Sequence, residues 1–399
     1  MAVRLNKGLK LATSTWDEKE IEAAKRILDS GNLTMGVEVS EFESEFAAKV
    51  GSQYAVMFNS GSSANLAMVF ALKYFSQHSL KVESEIIVPA VSWSTTYFPV
   101  SQAGFTLRFV DIDKYSLNLQ LEQVQKSINR STGAIFAVNL LGNPALLESL
   151  RQLADSNNIL LIEDNCESLG AQIDGKHTGT FGLAGSFSFY FSHHLCTMEG
   201  GMVATNSTEF REILISLRAH GWTRGLPKEN HLHRLSSNPW EDLYRFVLPG
   251  FNLRPIEIAG AIGRVQLEKW DSIIEARRAN AMKFMNLFGD SDWYRIQREN
   301  SRSSWFGFAF VLQNRLKGQR ELLINFLESR GFETRPIVAG NFLRNPVMKH
   351  LKHIAEGSFQ NANEIHTDGF FIGNHHYDIS ENLDELYDLF VNFEEKLPR

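Results

Sequence analysis

Apolar runs of strand length alternate with helical patterns over the first 250 residues of the chain. The runs are rich in Val, Ile, Leu and Phe, and a helical pattern follows the first of them from about Ser63. Short buried strands that alternate with helices are typical of a largely parallel sheet covered by helices on both faces. The runs fall at residues 54–58, 86–88, 107–110, 134–138 and 159–162.

The pattern changes after Arg254. Apolar residues from Ile258 to Leu267 repeat at roughly helical spacing and predict a long helix. We therefore expect an α/β protein with a large domain over residues 1–255 and a small C-terminal α/β domain over residues 256–399, two unrelated α/β domains being the alternative. The small domain is predicted to contain a strand over 306–312, a helix over 320–329, a short strand near 332 and a final helix over 382–396.

Composition excludes several classes of function. Of 399 residues, 43% are hydrophobic and 22% charged, and the formal net charge of -6 argues against general binding to nucleic acid or to a membrane surface. The N-terminus has no apolar core of signal-peptide length, and no segment approaches the roughly 20 apolar residues of a membrane span. We expect a cytoplasmic protein.

Two cysteines, Cys166 and Cys196, fit free thiols in a reducing compartment better than a disulfide framework. They also fall short of the four thiolates that an iron–sulfur cluster usually needs. We therefore expect neither such a cluster, nor another metal, nor a reductase partner.

The residues at 59–65, Asn-Ser-Gly-Ser-Ser-Ala-Asn, lie between a predicted strand and a predicted helix. Gly61 can adopt backbone angles closed to other residues, and the first amides of a helix lack partners within it. Such a turn is a natural site for a phosphate. Many Gly/Ser-rich turns nevertheless bind no ligand, so the turn alone leaves both interpretations open.

Asp164 immediately follows the predicted strand that ends at Glu163, and Trp93 comes shortly after the end of the predicted strand at 86–88. The carboxyl ends of parallel strands are where open α/β sheets bind ligands, and a carboxylate there can pair with a protonated pyridine nitrogen. A helix cap or loop aspartate is the alternative for Asp164. A large aromatic at a strand end can stack on a planar ring, although a lone tryptophan such as Trp93 is more often part of the core.

The segment at 186–203 reads Ser-Phe-Ser-Phe-Tyr-Phe-Ser-His-His-Leu-Cys-Thr-Met-Glu-Gly-Gly-Met-Val. It resembles the cofactor-lysine segment of the sugar aminotransferases of the DegT/StrS family, which use pyridoxal phosphate. The family lysine falls on His193. A histidine cannot form the stable covalent bond to the cofactor aldehyde that a lysine forms, but it can move protons. His194 is adjacent, so in an extended chain only one of the two imidazoles could face the cofactor.

The resemblance implies a fold and a cofactor site. The fold is that of aspartate aminotransferase, fold type I, in a homodimer with shared active sites. The cofactor is pyridoxal 5'-phosphate, which becomes pyridoxamine 5'-phosphate on reaction with glutamate. The resemblance implies that Gly61, Ser62 and Ser188 form the phosphate site. It also implies that Trp93 stacks on the cofactor ring and that Asp164 pairs with the ring nitrogen. Glu167, where relatives usually have glutamine, is expected to lie beside the cofactor, and Asn252 is expected to contact the partner's cofactor phosphate.

Two further motifs narrow the expected reaction. The runs His-Gly-Trp-Thr-Arg at 220–224 and Arg-Pro-Ile-Val-Ala-Gly-Asn at 335–341 resemble the branch of the family that removes the C3 hydroxyl from GDP-linked 4-keto-6-deoxymannose. The resemblance implies that His193 is the catalytic base, and that His220, Arg224 and Arg335 contact the substrate. Glutamate would donate the amino group, and ammonia would be released.

Three alternatives stay open from sequence. The chain could be an aminotransferase that tolerates histidine and leaves an amino sugar. It could be a dehydratase for another nucleotide-linked 4-keto-6-deoxy sugar. It could also be a cofactor-binding regulatory or scaffold protein without turnover, which would undergo no glutamate-driven spectral change.

Overall fold

The computed structural model describes residues 8–234, 236 and 238–396. Within these residues it contains one sheet of eight strands, one of four strands and a two-stranded hairpin. The strands are β1 Tyr54–Phe58, β2 Glu85–Pro89, β3 Thr106–Val110, β4 Thr132–Val138, β5 Leu160–Asp164, β6 Gln172–Ile173, β7 Lys176–His177, β8 Ala184–Ser188, β9 Gly201–Thr205, β10 Tyr294–Ile296, β11 Gly307–Leu312, β12 Thr334–Arg335, β13 His353–Ala355 and β14 Gly369–Gly373.

Helices surround both sheets, and their ends follow from local sequence. At the first helix, Asp17 accepts a hydrogen bond from the Lys19 amide, Glu20 closes a capping box, and Gly31 ends the helix at a φ of 73°. No helix in the described part of the chain is long and apolar enough to cross a membrane. The helices are α1 Glu18–Ser30, α2 Val37–Val50, α3 Gly61–Ala71, α4 Ser94–Gln102, α5 Leu121–Ser127, α6 Leu147–Ser156, α7 Thr208–Arg218, α8 Pro239–Asp242, α9 Glu257–Glu268, α10 Trp270–Phe288, α11 Arg320–Glu328, α12 Gln360–Asp368 and α13 Ser380–Lys396.

The large sheet has the order β1-β9-β8-β5-β4-β2-β3-β13. Pairing is parallel from β8 to β13, and β9 runs antiparallel to both β1 and β8. Alternate residues of one strand enter cores on opposite faces: Ile86 and Val88 pack with α3 and α7, whereas Ile87 packs with α5 and α6. The prediction of a mostly parallel sheet covered on both faces is therefore confirmed.

The small sheet is antiparallel, in the order β10-β11-β14-β12. Its inner face packs aromatic residues of β11 and β14 against Phe284 and Phe288 of α10 and Phe390 of α13. One strand formed after residue 255, β13, joins the edge of the large sheet beside β3. The domain boundary near residue 255 stays a prediction.

The predicted elements match the observed ones with small shifts at their ends. The helix expected from about Ser63 begins at Gly61, and the short strand expected near residue 332 is β12. The long helical pattern after residue 257 is divided at Lys269 into α9 and α10. Sequence reasoning did not predict seven of the described strands: β8, β9 and β14 contain glycine, and β6, β7, β10 and β13 are only two or three residues long.

Candidate active site

A cavity of about 730 Å³ lies where several strands of the large sheet end. Its wall includes Val138 at the end of β4, Asp164 at the end of β5 and Ser188 at the end of β8. Parallel strands bring such residues together because their carboxyl ends share one edge. Of the residues selected from sequence, the cavity is lined by Gly61, Ser62, Trp93, Asp164, Glu167, Ser188, His193 and Arg335.

The turn before α3 is closely packed. The Ser60 hydroxyl caps the helix by accepting a hydrogen bond from the Ser63 amide at 3.1 Å. A Cβ atom on Gly61 would lie 2.5 Å from the Cβ of Ser188, and one on Gly201 would lie 2.3 Å from the Ser60 carbonyl oxygen. Only glycine fits either position, so the helix amides, the Ser188 hydroxyl and the start of β9 are held close together. This arrangement suits a phosphate group.

The Asp164 carboxylate is buried and oriented by side chains from two helices. Its Oδ2 accepts hydrogen bonds from Asn65 Nδ2 at 2.8 Å and from Thr96 Oγ1 at 2.7 Å. Asn65 is held in turn by the Ser186 hydroxyl, which donates to its Oδ1 at 2.5 Å. The carboxylate is thus fixed in direction, has no ion pair within the described residues, and is available to a cationic group in the cavity.

Asn65 and Thr96 have roles that the sequence analysis missed. Asn65 was part of the run at 59–65 but received no role, although it is a fully buried polar residue on a helix with an apolar face. A polar residue four positions after a candidate phosphate-binding glycine lies on the same side of the helix as that glycine. That spacing was the available signal.

Trp93 immediately precedes α4 and is 57% exposed while it lines the cavity. The alternative of a core tryptophan therefore does not describe its environment. An indole on a cavity wall can stack on a planar ring.

Glu167 carries a carboxyl group that is half-buried in the cavity wall. Burial is the main reason why the pKa of this carboxyl group is raised to about 7, and the charge of Asp164 adds to the rise. The Leu141 amide, which donates a hydrogen bond to Oε2 at 3.0 Å, acts in the opposite direction. Near neutral pH the group is therefore divided between its protonated and ionised forms. A protonated glutamate can donate a hydrogen bond, as a glutamine at the same position would.

His193 lies in the cavity wall between two aromatic rings. Its ring meets that of Phe306 edge to face at 5.2 Å and that of Tyr190 at 6.0 Å. Burial and, to a smaller extent, the charge of Arg277 lower the pKa of His193 to about 4. The imidazole is therefore neutral at pH 7 and able to accept a proton.

His194 has a different environment from its neighbour. It is fully buried, and its Nε2 donates a hydrogen bond to the Ser304 carbonyl at 3.2 Å. The two histidines lie on a bend, so the expectation for an extended chain does not apply to them, but within the described residues His193 lines the cavity and His194 does not. His194 contacts the segment before β11, whereas His193 faces the cavity.

Three residues selected from sequence lie outside this cavity. Asn252, His220 and Arg224 are exposed, and they belong to one local structure in which Ala219 pairs with Asn252 and the His220 amide donates to the Phe251 carbonyl at 2.6 Å. Their expected roles, Asn252 on the partner's cofactor and the other two on the substrate, stay predictions. Arg335, by contrast, is exposed at the cavity wall.

Comparison with known proteins gives close matches over nearly the whole chain. A GDP-4-keto-6-deoxy-D-mannose 3-dehydratase of Yersinia pseudotuberculosis is 49% identical over 381 residues, or 95% of this chain and 97% of the relative. The solved E. coli GDP-4-keto-6-deoxy-D-mannose-3-dehydratase with bound hydrated PLP has a TM-score of 0.93 at 45% identity, with 96% of this chain and 99% of that chain covered. A structure of GDP-4-keto-6-deoxymannose-3-dehydratase with a trapped PLP-glutamate geminal diamine also has a TM-score of 0.93 at 45% identity, with 96% and 100% covered.

These matches agree with the geometry of the site and with the expected fold. The structures that resemble this chain are aminotransferase-fold enzymes, and the expectation of fold type I is confirmed. The model of the DegT/DnrJ/EryC1/StrS aminotransferase family matches residues 14–388. The chain therefore belongs to the DegT/DnrJ/EryC1/StrS aminotransferase family.

Proposed function

We propose that the chain removes the C3 hydroxyl from GDP-4-keto-6-deoxy-D-mannose, with pyridoxal 5'-phosphate as cofactor and glutamate as amino donor. The observation that carries the proposal is that His193, which the sequence resemblance aligns with the lysine of the family's aminotransferases, lines the cavity. An imidazole moves protons but leaves the cofactor without a covalent tether. The names of the relatives from Yersinia and E. coli support the same substrate.

The cavity residues fit the cofactor. Gly61 leaves room where any side chain would meet Ser188, so the amides of Gly61 and Ser62 can approach a phosphate. The buried Asp164 carboxylate, oriented by two side-chain donors, suits a protonated ring nitrogen. Trp93 offers an exposed aromatic face for the ring. We assign these residues to holding the cofactor.

When bound there, pyridoxal phosphate supplies an electron sink next to the reacting carbons of the sugar. Asp164 holds the proton on the ring nitrogen and so maintains that sink. His193 accepts the proton from the cofactor C4' atom and returns a proton to the C3 hydroxyl as it leaves. The product is a 3-deoxy-4-keto sugar, and the nitrogen from glutamate leaves as ammonia.

We place the nucleotide diphosphate beyond the cavity wall, towards Arg335 and towards Arg224 of a second subunit. A guanidinium suits phosphate oxygens because it can donate two parallel hydrogen bonds. Asn252 is exposed, as a residue that reaches the partner's cofactor phosphate in a homodimer has to be. The two free cysteines support a cytoplasmic setting.

The test is product analysis with a panel of nucleotide-linked 4-keto-6-deoxy sugars, each incubated with the protein, pyridoxal phosphate and glutamate. We expect the GDP-linked mannose derivative to give a product one oxygen atom lighter, with equal amounts of ammonia and 2-oxoglutarate. His193→Asn, which keeps a polar side chain of similar reach, should give no product.

The same assay separates the alternatives. An aminotransferase would give an amino sugar without free ammonia, and preference for a CDP-linked sugar would refute the assigned nucleotide. A protein without turnover would give no 2-oxoglutarate from glutamate.

A further inference from the structure

Arg277 is a buried arginine beside the cavity. It lies on α10, and its Nη1 donates to the carbonyls of Trp305 at 3.4 Å and Phe306 at 3.1 Å, while its Nε has no hydrogen-bond partner. Burial alone lowers its pKa to about 10, and no carboxylate of the described residues contributes a compensating charge. A buried cation without an anion lowers stability. Such a group next to an active site is a candidate for a functional role.

The carbonyls that Arg277 holds belong to a segment that reaches the cavity. Ser304 accepts a hydrogen bond from His194, and Phe306 lines the cavity immediately before β11. The segment is thus held on one side by Arg277 and on the other by His194. Its end, the Phe306 ring, is the aromatic group closest to His193, at 5.2 Å and an interplanar angle of 86°.

His193 has no hydrogen bond that orients its ring through Nδ1. That atom is buried and has no partner among the described residues. Catalytic histidines are usually oriented by an acceptor on the nitrogen that does not react. In this site the ring orientation depends instead on packing between Phe306 and Tyr190.

We propose that Arg277 is a positioning residue for His193. Its guanidinium fixes the carbonyls of Trp305 and Phe306 so that the Phe306 ring packs edge to face against the imidazole, and its positive charge adds to burial in disfavouring the protonated imidazole. The inference rests on the proposed function for the catalytic part of its consequence, but the state of His193 can be measured without turnover.

The charges around His193 come from several elements. Arg277 on α10 is the charged group that acts on its pKa, in the same direction as burial. The other titratable groups near it in the described residues are the neighbouring His194 and the cavity residues Asp164, Cys166, Glu167, Tyr190, Glu199 and Arg335.

The test compares Arg277→Met with Arg278→Met. Arg278 is the next residue of α10 and also holds a carbonyl of the same segment, Ser303, at 2.9 Å, but its charge does not act on His193. The protonation midpoint of His193 is measured by NMR of the ring carbon in the cofactor-free protein, with the signal assigned by its loss in His193→Asn. We expect Arg277→Met to raise the midpoint, by at most about 1 pH unit because burial is the larger cause, and Arg278→Met to leave it unchanged.

Turnover provides the second measurement. We expect Arg277→Met to lower kcat roughly 10- to 100-fold, with the KM for the sugar within about threefold, because proton transfer and not binding is impaired. Phe306→Leu removes the ring but keeps Arg277, and it should lower kcat without raising the NMR midpoint. It also keeps the proposal testable if Arg277→Met does not fold.

The outcomes separate this inference from the proposed function. An unchanged His193 midpoint in Arg277→Met, an equal rise in Arg278→Met, or full turnover in Phe306→Leu would each overturn the positioning role. A wild-type protein that never acts on the sugar would refute the proposed function instead, and the NMR comparison would still decide whether Arg277 controls the protonation of His193.

Discussion

Asn65 Nδ2 and Asp164 Oδ2 lie 2.8 Å apart, although the residues are 99 positions apart in sequence. One belongs to α3, which begins at the candidate phosphate site, and the other ends β5. The hydrogen bond therefore ties the group that we assign to the cofactor's ring nitrogen to the helix that we assign to its phosphate. A cofactor bound at both ends would be held in one orientation.

Replacing Asp164 by Asn keeps the shape of the side chain and removes its charge. We expect both the glutamate half-reaction and sugar dehydration to fall at least about 100-fold, because the ring nitrogen is then no longer held protonated. The first rate is the glutamate-driven change in cofactor absorbance. Thr96→Val removes one hydrogen bond to Asp164 and keeps its charge, so it should lower both rates much less than Asp164→Asn does. Near-normal turnover in Asp164→Asn would assign the carboxylate to a structural role.

The His193→Lys variant tests whether the wild-type protein forms no covalent bond to its cofactor. Wild-type protein should lose its cofactor on dialysis and yield no cofactor adduct on borohydride reduction, because His193 offers no amine. His193→Lys should yield one adduct at residue 193, identified by peptide mass spectrometry, while His193→Asn should yield none. An adduct on any lysine of the wild-type protein would contradict the alignment of His193 with the family lysine.

Much of this site could be predicted from sequence, because several of its residues lie at or shortly after the ends of apolar runs. Asp164 and Trp93 each follow a run that the large sheet uses as a strand, and the Gly61 turn has a local glycine and serine signature. The spacing of Asn65 from Gly61 placed it on the same side of α3, but its contact with Asp164, and that of Thr96, joins separate elements and leaves no pattern in the sequence.

The residues that hold His193 in position could not be identified from the sequence either. Arg277 reads as an ordinary helical arginine, and only the tertiary structure places it, buried, against the Trp305 and Phe306 carbonyls. The edge strand β13 was missed for a related reason. Its three residues pair with β3 through a contact between distant parts of the chain, and so short a run has little signal of its own.

The Gly61→Ala variant tests the close packing of the phosphate turn. Its new methyl group would lie 2.5 Å from Ser188 Cβ, so we expect lower thermal stability and weaker cofactor binding, measured by thermal unfolding and by fluorescence titration. Adding Ser188→Gly should restore most of the stability, because it removes the clashing atoms, but not the affinity, because it also removes a hydroxyl ligand. A Gly61→Ala protein with wild-type stability and affinity would refute this account.

The raised pKa of Glu167 predicts that the stability of the folded protein depends on pH. Folding raises its pKa from 4.5 to about 7, so between these values the folded state binds more protons than the unfolded state. This contribution is fully present below about pH 4.5 and is lost as the pH rises to about 7, up to about 3 kcal/mol in total. In urea unfolding of the cofactor-free protein, the free energy of unfolding should fall less between these two pH values in Glu167→Gln than in the wild-type protein. If the free energy of unfolding changed with pH in the same way in both proteins, folding would not raise the pKa of Glu167.

Turnover in heavy water tests where hydrogen enters the product. Loss of the C3 hydroxyl leaves a carbon that must be protonated before the 4-keto sugar is released, and exchangeable groups such as the His193 imidazole carry solvent protons. We therefore expect one deuterium at C3 of the product, measured by NMR and mass spectrometry, with one glutamate consumed and one ammonia released per sugar. An aminotransferase would keep the C3 oxygen and place nitrogen on C4. A product that retains its C3 hydroxyl, or a 3-deoxy product without deuterium at C3, would refute the proposed route.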